Sequence, residues 1–185
     1  MIIGLKNINV AKLTEEATNI YDAVTKLAPA ISANITPNNQ STTLYGDDRA
    51  VAVEETLGSI GVEINTADLT DEQYALLMGV TINADGVIED SSDDNAPYLA
   101  LGFELPMSGG GKKLYWYYKG RFQKPGGEYN TKGESVSFAT QTLVGTFMAR
   151  EDKKWRAHHR TLPEGTADPI AEAWFDAVYK PTPIV

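Results

Sequence analysis

Apolar and polar residues alternate in one segment after another, and this period of two commits the chain to strands. Ile31, Ala33 and Ile35 alternate with Ser32, Asn34 and Thr36, and Ile60, Val62 and Ile64 with Gly61, Glu63 and Asn65. Leu99, Leu101, Phe103 and Leu105 share one face while Tyr98, Ala100, Gly102 and Glu104 take the other, and Val136 and Phe138 alternate with Ser135 and Ser137. Successive side chains on a strand point to opposite faces, so each segment predicts a strand with one buried and one wet side. Such strands build antiparallel sheets packed as a sandwich or barrel, because parallel sheets covered on both faces need continuous apolar runs. The expected fold is mainly β, two packed antiparallel sheets with a short flanking α-helix and a C-terminal helix.

The turn chemistry agrees. Asp85-Gly86 between Val80-Thr81-Ile82 and Val87-Ile88 predicts a hairpin closed by a two-residue type I′ turn. Ser108-Gly109-Gly110-Gly111 separates the strand ending at Leu105 from one starting at Lys113, and Pro125-Gly126-Gly127 closes the latter. Thr70-Asp71-Glu72-Gln73 has capping-box spacing, Leu69 and Tyr74 suit a hydrophobic staple, and Gly79 suits a left-handed stop. These predict a helix from about Asp71 to Met78 that shows Tyr74, Leu77 and Met78 to the core. Asp168-Pro169 starts a second helix that Pro181 ends, with Ile170, Trp174 and Val178 on one stripe. Residues 38–58 hold a strand-like start at Thr42 to Tyr45 and then an acidic stretch, about 46–58, with little periodicity. That stretch reads as a long loop or an extended hairpin. The 185 residues fit a single domain, with a C-terminal helical extension from about 163 to 185.

Several function classes are disfavoured. With no Cys there is no disulfide, thiolate metal site or cysteine nucleophile, and packing alone must hold the fold. The opening Met1-Ile2-Ile3-Gly4-Leu5-Lys6 does not read as a signal peptide, which predicts a protein that is not exported, and no stretch suits a membrane span. His158 and His159 are the only histidines, and neighbours on a strand cannot converge on one metal or substrate. Gly109-Gly110-Gly111-Lys112-Lys113 lacks the Ser or Thr and the following helix of a phosphate loop. The oxygen-rich Asp90-Ser91-Ser92-Asp93-Asp94-Asn95 lacks the ligand order of a calcium loop and reads as an ordinary turn. No nucleophile elbow or zinc-protease pattern is present. The expectation is a protein that is not an enzyme and carries no cofactor.

Charge is unevenly placed within a net charge of −9. Fourteen acids, including Asp47, Asp48, Glu54 and Glu55, lie between Asp47 and Glu104 against Arg49 alone, whereas from Lys112 to Arg160 eleven bases face four acids. Two readings remain open: the halves attract each other between copies in a head-to-tail contact, or they interleave within one fold and cancel. The overall acidity argues against an obligate nucleic-acid binder. On the strand Lys113 to Phe122, Leu114, Trp116, Tyr118 and Phe122 form a core face, while Lys113, Tyr115, Tyr117, Lys119 and Arg121 make a basic aromatic stripe. The stripe suits a subunit contact, where Tyr and Arg are enriched, or a platform for stacking sugars or bases.

An ordered set of segments adds a resemblance. Ile3-Gly4-Leu5-Lys6-Asn7, the run Lys26 to Pro37, Thr43 to Asp48, Asp94 to Phe103, Tyr118 to Phe122 and Tyr129 to Glu134 together resemble the major tail protein family of long-tailed bacteriophages of Gram-positive bacteria. The similarity runs from the N-terminus to about Ala149. It implies a structural virion protein whose subunits form stacked hexameric rings, the tail tube, around a tape-measure protein. Tail terminator and distal tail proteins would be its other partners, and DNA would meet it only in transit. Assembly would occur in the host bacterial cytoplasm, with no membrane involved. On this reading Asp47, Asp48, Glu54, Glu55, Tyr115, Tyr117, Lys119 and Arg121 are the candidate subunit contacts. The alternatives are a β-sandwich ligand- or carbohydrate-binding module using Tyr115, Tyr117 and Trp155, or another tail ring protein of the terminator or baseplate kind.

Overall fold

The computed structural model describes residues 1–126, 140–161 and 166–181. The chain forms β1 (Lys6–Glu15), β2 (Ile20–Tyr21), β3 (Thr25–Lys26), β4 (Ala30–Gly46), β5 (Arg49–Thr66), α1 (Asp71–Met78), β6 (Leu99–Pro106), β7 (Lys112–Phe122), β8 (Gln141–Met148), β9 (Arg156–Arg160) and α2 (Pro169–Glu172). The fold is mainly β and its strand pairs are antiparallel, as the alternation requires. Where two sheets were expected, one hydrogen-bonded sheet of nine strands runs in the order β2-β1-β6-β7-β8-β5-β4, with β3 added on β1 and β9 on β7.

The single sheet follows from the length of β7. One edge pairs with β6, while the other serves β9 over Lys113–Tyr117 and β8 over Lys119–Phe122. Through β8 the ladder reaches β5 and β4. The sheet curls so that β1, β6 and β7 share one core with β5 and β8: Val10, Leu101, Phe103 and Tyr117 pack in the same cluster as Ile60, Ile64, Leu143 and Phe147. Its end strands do not pair with each other, so it is an open curl.

Helix α1 spans the residues its local signals specify. The Thr70 hydroxyl accepts from the Gln73 amide, the Gln73 side chain accepts from the Thr70 amide, and Gly79 ends the helix at φ 71°. No other residue suits position 79, because a Cβ there would approach the Asn95 carbonyl oxygen to 2.7 Å. Leu77 and Met78 are buried and Tyr74 is half-buried against the core, while the Gln73 side-chain amide donates to the Lys26 carbonyl.

Other expectations are corrected. The turn at Asp85-Gly86 is longer than two residues: only Gly86 has positive φ, the Asn83 side chain accepts from the Asp85 and Val87 amides, and Ile82 and Ile88 form one isolated bridge. Strand β6 has no wet side. Ala100 lies under the C-terminal segment, and Glu104 is buried beside Lys112, 3.3 Å away. Ile31 is 61% exposed because a bulge between Ala30 and Ser32 breaks the alternation, leaving Ala33 and Ile35 half-buried. The strand expected at Val136 and Phe138 lies outside the described residues.

The second helix shortens to one turn. Asp168 caps it through the Ala171 amide and Pro169 sits in the first turn, but regular helix stops at Glu172. Beyond it the backbone tightens into shorter turns, the Trp174 amide donating to the Ala171 carbonyl and the Asp176 amide to the Ala173 carbonyl, and the Trp174 carbonyl accepts from the Trp116 indole N–H at 2.9 Å. Trp174 and Val178 are buried as expected, whereas Ile170, the third member of the stripe, is 49% exposed. Residues 166–181 thus lie as a strap over Ala11, Ala100, Leu114, Trp116 and Tyr118, the outer face of the sheet. Among the described residues no helix is long and apolar enough to cross a membrane.

Candidate functional site

The acidic stretch is a hairpin arm. Strands β4 and β5 pair from Ala30↔Thr66 to Gly46↔Arg49, but β8 supports β5 only from Ile60 to Thr66. Beyond that point the two strands pair only with each other among the described residues, over a projection of about 25 Å from Asn39 to Gly46. Asp47 and Asp48 close the tip, both with positive φ (49° and 57°), as a type I′ turn requires of its central pair. Asp tolerates this conformation better than most residues. Pro37 is accommodated because β4 is an end strand whose outer edge has no partner among the described residues.

From Asn38 to Ser59 every residue of described burial except Thr43 is exposed. Leu44, Tyr45, Val51 and Val53 are each more than 60% exposed. Cross-strand pairs place Val53 and Glu55 with Thr43 and Ser41 on one face, and Leu44 and Glu54 with Ala52 and Thr42 on the other. Each face of the arm therefore mixes apolar side chains with a carboxylate. A two-stranded hairpin without further support is marginal in water. None of Asp47, Asp48, Glu54 and Glu55 has an ion-pair partner among the described residues.

The other four candidate contacts do not form one stripe. β7 carries a bulge opposite β6, between the pairs Leu99↔Gly120 and Leu101↔Tyr117, and it reverses the facing of the residues beyond it. Tyr115 and Tyr117 stay on the inner face, stacked with Phe103 at 5.4 and 5.9 Å between ring centroids, and Tyr117 is buried. Lys119 and Arg121 instead close over the Tyr98 ring at 4.6 and 3.9 Å, with Lys119 ion-paired to Glu16. The same reversal puts Phe122 in the inner core with Phe147, while Leu114, Trp116 and Tyr118 lie under the strap. Gly120 is required at this reversal, since the Phe147 ring lies 2.3 Å from where a Cβ would stand.

A surface that the sequence reading missed lies between β7 and β9. Directly opposed pairs Lys113↔Arg160, Tyr115↔His158 and Tyr117↔Arg156 form a ladder on one face. His158 stacks on Tyr115 at 5.8 Å, and Arg156 covers Trp155, which packs on Tyr117. Arg156, His158 and Arg160 are exposed, and among the described residues neither Lys113, Arg156 nor Arg160 has an ion-pair partner. The signal was present in Arg156-Ala157-His158-His159-Arg160, an alternation with basic residues at every second position. A groove of about 500 Å³ runs beside the ladder, bounded by Ile2 and Leu5, by Ala33 and Ile35 of β4, and by Tyr115 and Arg156.

The two histidines do diverge. His159 points the other way, stacking on Trp174 at 6.0 Å with its Nε2 2.9 Å from Asp168, so it anchors the strap. The Asp90–Asn95 turn is occupied by an internal cation: the Lys124 ammonium lies 3.0 Å from Asp90, from Asp94 and from the Ser91 carbonyl. It stands where a calcium ion would have to sit. No cluster of metal-ligating side chains occurs among the described residues.

The interleaving of the two charged halves within the fold therefore holds in part. Lys112 and Lys124 of the basic half neutralise Glu104, Asp90 and Asp94 of the acidic half within the fold. Among the described residues the arm carboxylates and the ladder cations have no ion-pair partner.

At the rim of the strap, Arg150 lies over the Tyr118 ring at 3.9 Å, donates to the Tyr21 hydroxyl and pairs with Asp152 at 2.8 Å, while the Tyr21 hydroxyl donates to the Tyr118 carbonyl. Burial pushes the Tyr118 phenol up to about 12, and burial also raises those of Tyr21 and Tyr117. Unfolded tyrosines ionise near pH 10, so this contribution to stability is intact below pH 10 and is lost as pH rises toward 12. The expected result is a thermal midpoint that drops steeply above pH 10, with a late class of tyrosines ionising together on unfolding. A 295 nm absorbance titration at fixed temperature checks it; tyrosines all ionising near pH 10 in the folded protein would contradict it.

Comparison of the sequence with family models and with curated proteins finds no match.

Proposed function

We propose that the chain is the major tail protein of a long-tailed bacteriophage, a structural subunit that assembles with copies of itself into stacked hexameric rings forming the tail tube. The observation that carries this reading is the arm. A two-stranded ladder with Leu44, Tyr45, Val51 and Val53 exposed is an aggregation liability in a protein that works alone and a contact element in one that polymerises. The open sheet adds to this, because the outer edge of β4, without a partner among the described residues, can be covered by a neighbour. A head-to-tail contact between unlike surfaces repeats along an axis or closes into a ring, as a stacked tube needs. The ordered resemblance of the segments from Ile3 to Ala149 supports the same conclusion.

On this reading Asp47, Asp48, Glu54 and Glu55 serve contacts between subunits, and other acids between Asp47 and Glu104 line the lumen. There they lower the attraction that DNA in transit would otherwise find. The tape-measure protein would occupy the lumen during assembly, and terminator and distal tail proteins would cap the ends. The protein would reside in the virion.

Sedimentation velocity over a hundredfold range of protein concentration tests the proposal. Expected are species of ring mass and larger, growing with concentration. A single-chain mass throughout would contradict it, and a ring that never extends would favour a terminator-type ring protein.

A further inference from the structure

We propose that the ladder Lys113/Arg160, Tyr115/His158 and Tyr117/Arg156, with the groove beside it, receives the acidic arm of a second copy. The proposal rests on the self-assembly reading and assigns both halves of one contact. In a chain with 25 acids and 16 bases, three cations on one face have no ion-pair partner among the described residues, which leaves this surface open to counter-charge from another molecule. The arm has what that surface lacks. Each face of the arm sets a carboxylate without an ion-pair partner among the described residues beside an apolar side chain, Glu55 by Val53 on one and Glu54 by Leu44 on the other, matching a groove walled by Ile2, Leu5 and Ile35 next to Arg156.

The arm that fills the groove must come from another molecule. Ala33 and Ile35 form a wall of the groove at the root of the protomer's own arm, and β4 runs on without reversing until Asp47, about 40 Å further along the strand. Each copy thus offers an arm at one end and a receptor at the other, and the contact propagates from copy to copy. Charge opposition fixes the arm's orientation and excludes approach of one arm to another, while burial of the apolar side chains supplies the attraction.

Reciprocal charge reversal tests the pairing. Arg156→Glu with Arg160→Glu, and separately Glu54→Lys with Glu55→Lys, are compared with wild type and with the fourfold combination by sedimentation velocity, with circular dichroism as the check on folding. Each double variant is expected to raise the concentration for half-assembly at least tenfold, and the combination to restore it to within a few fold of wild type. Double variants that assemble like wild type, or a combination no better than either double, would overturn the assignment while leaving the self-assembly reading in place. Wild type that never assembles removes both.

If charge reversal unfolds the chain, Arg156→Gln with Arg160→Gln is used with a salt series. The neutral pair is expected to flatten the rise of the half-assembly concentration with NaCl, and an unchanged slope would overturn the assignment. A fluorescent single-stranded oligonucleotide serves as a second probe. Binding lost in the arginine variants while assembly is unchanged would assign the ladder to nucleic acid and not to the arm.

Discussion

Replacing residues 41–55 with a two-residue Asn-Gly turn is expected to yield a folded chain that no longer assembles at any concentration where wild type does. The replacement leaves Gln40 opposite Thr56, the register a two-residue type I′ loop closes. It removes no buried residue: of the side chains lost, only that of Thr43 is less than exposed. Surface changes of this kind alter stability by about 0.5 kcal/mol or less for each substituted position, so the thermal midpoint should move little. Assembly should vanish because the deletion takes away Leu44, Val51, Val53 and the four arm acids together. Light scattering at matched concentrations reads the result, and a shortened chain that still forms particles of wild-type mass would contradict it.

The largest effect on stability is expected from Trp116→Ala. Trp116 is fully buried, lies 5.8 Å from the Phe175 ring and donates its indole N–H to the Trp174 carbonyl, so one side chain ties β7 to the strap. The sheet is shaped around it, since Gly102 leaves room where a Cβ would come within 2.8 Å of the indole. Truncating a buried Trp to Ala costs about 3–5 kcal/mol in lost burial and cavity formation, and orphaning the Trp174 carbonyl adds about 1 kcal/mol or more. Set against a net stability of about 5–15 kcal/mol for a typical domain, this leaves the fold marginal. Trp116→Phe retains most of the packing but loses the donor, and is expected to fall between the two. Urea unfolding followed by circular dichroism gives both values; a loss below about 1 kcal/mol for Trp116→Ala would show that the strap contributes little.

Residues whose conformation is set by near neighbours were legible in the sequence. Helix α1 could be placed to the residue because Thr70, Gln73 and Gly79 act within one turn of themselves. Ile60, Val62 and Ile64 alternate cleanly because β5 has one buried face there. The failures share a cause in distant contacts. β6 looked half-wet because nothing near it signals that Trp174 and Val178, some seventy residues later, cover Ala100. The basic stripe on β7 divided because a bulge, invisible in the pattern, turned Lys119 and Arg121 onto Tyr98. The C-terminal segment leaves the helix after Glu172 and lies as a strap over Trp116, whose indole N–H reaches the Trp174 carbonyl from fifty-eight positions away.

The arm was hardest to read for a different reason. Alternation records a difference between two faces, and the arm has apolar and acidic residues on both. Such a pattern looks like a loop in one chain and suits a segment enclosed by other copies. Likewise, the β7/β9 ladder emerges only when Lys113 is set opposite Arg160 and Tyr117 opposite Arg156.

Electron microscopy of the purified wild-type chain, negatively stained across a concentration series, tests self-assembly most directly. Rings of uniform diameter that stack into hollow tubes are the predicted result. A field of single-chain particles at the highest concentration, from protein shown to be folded, would contradict it.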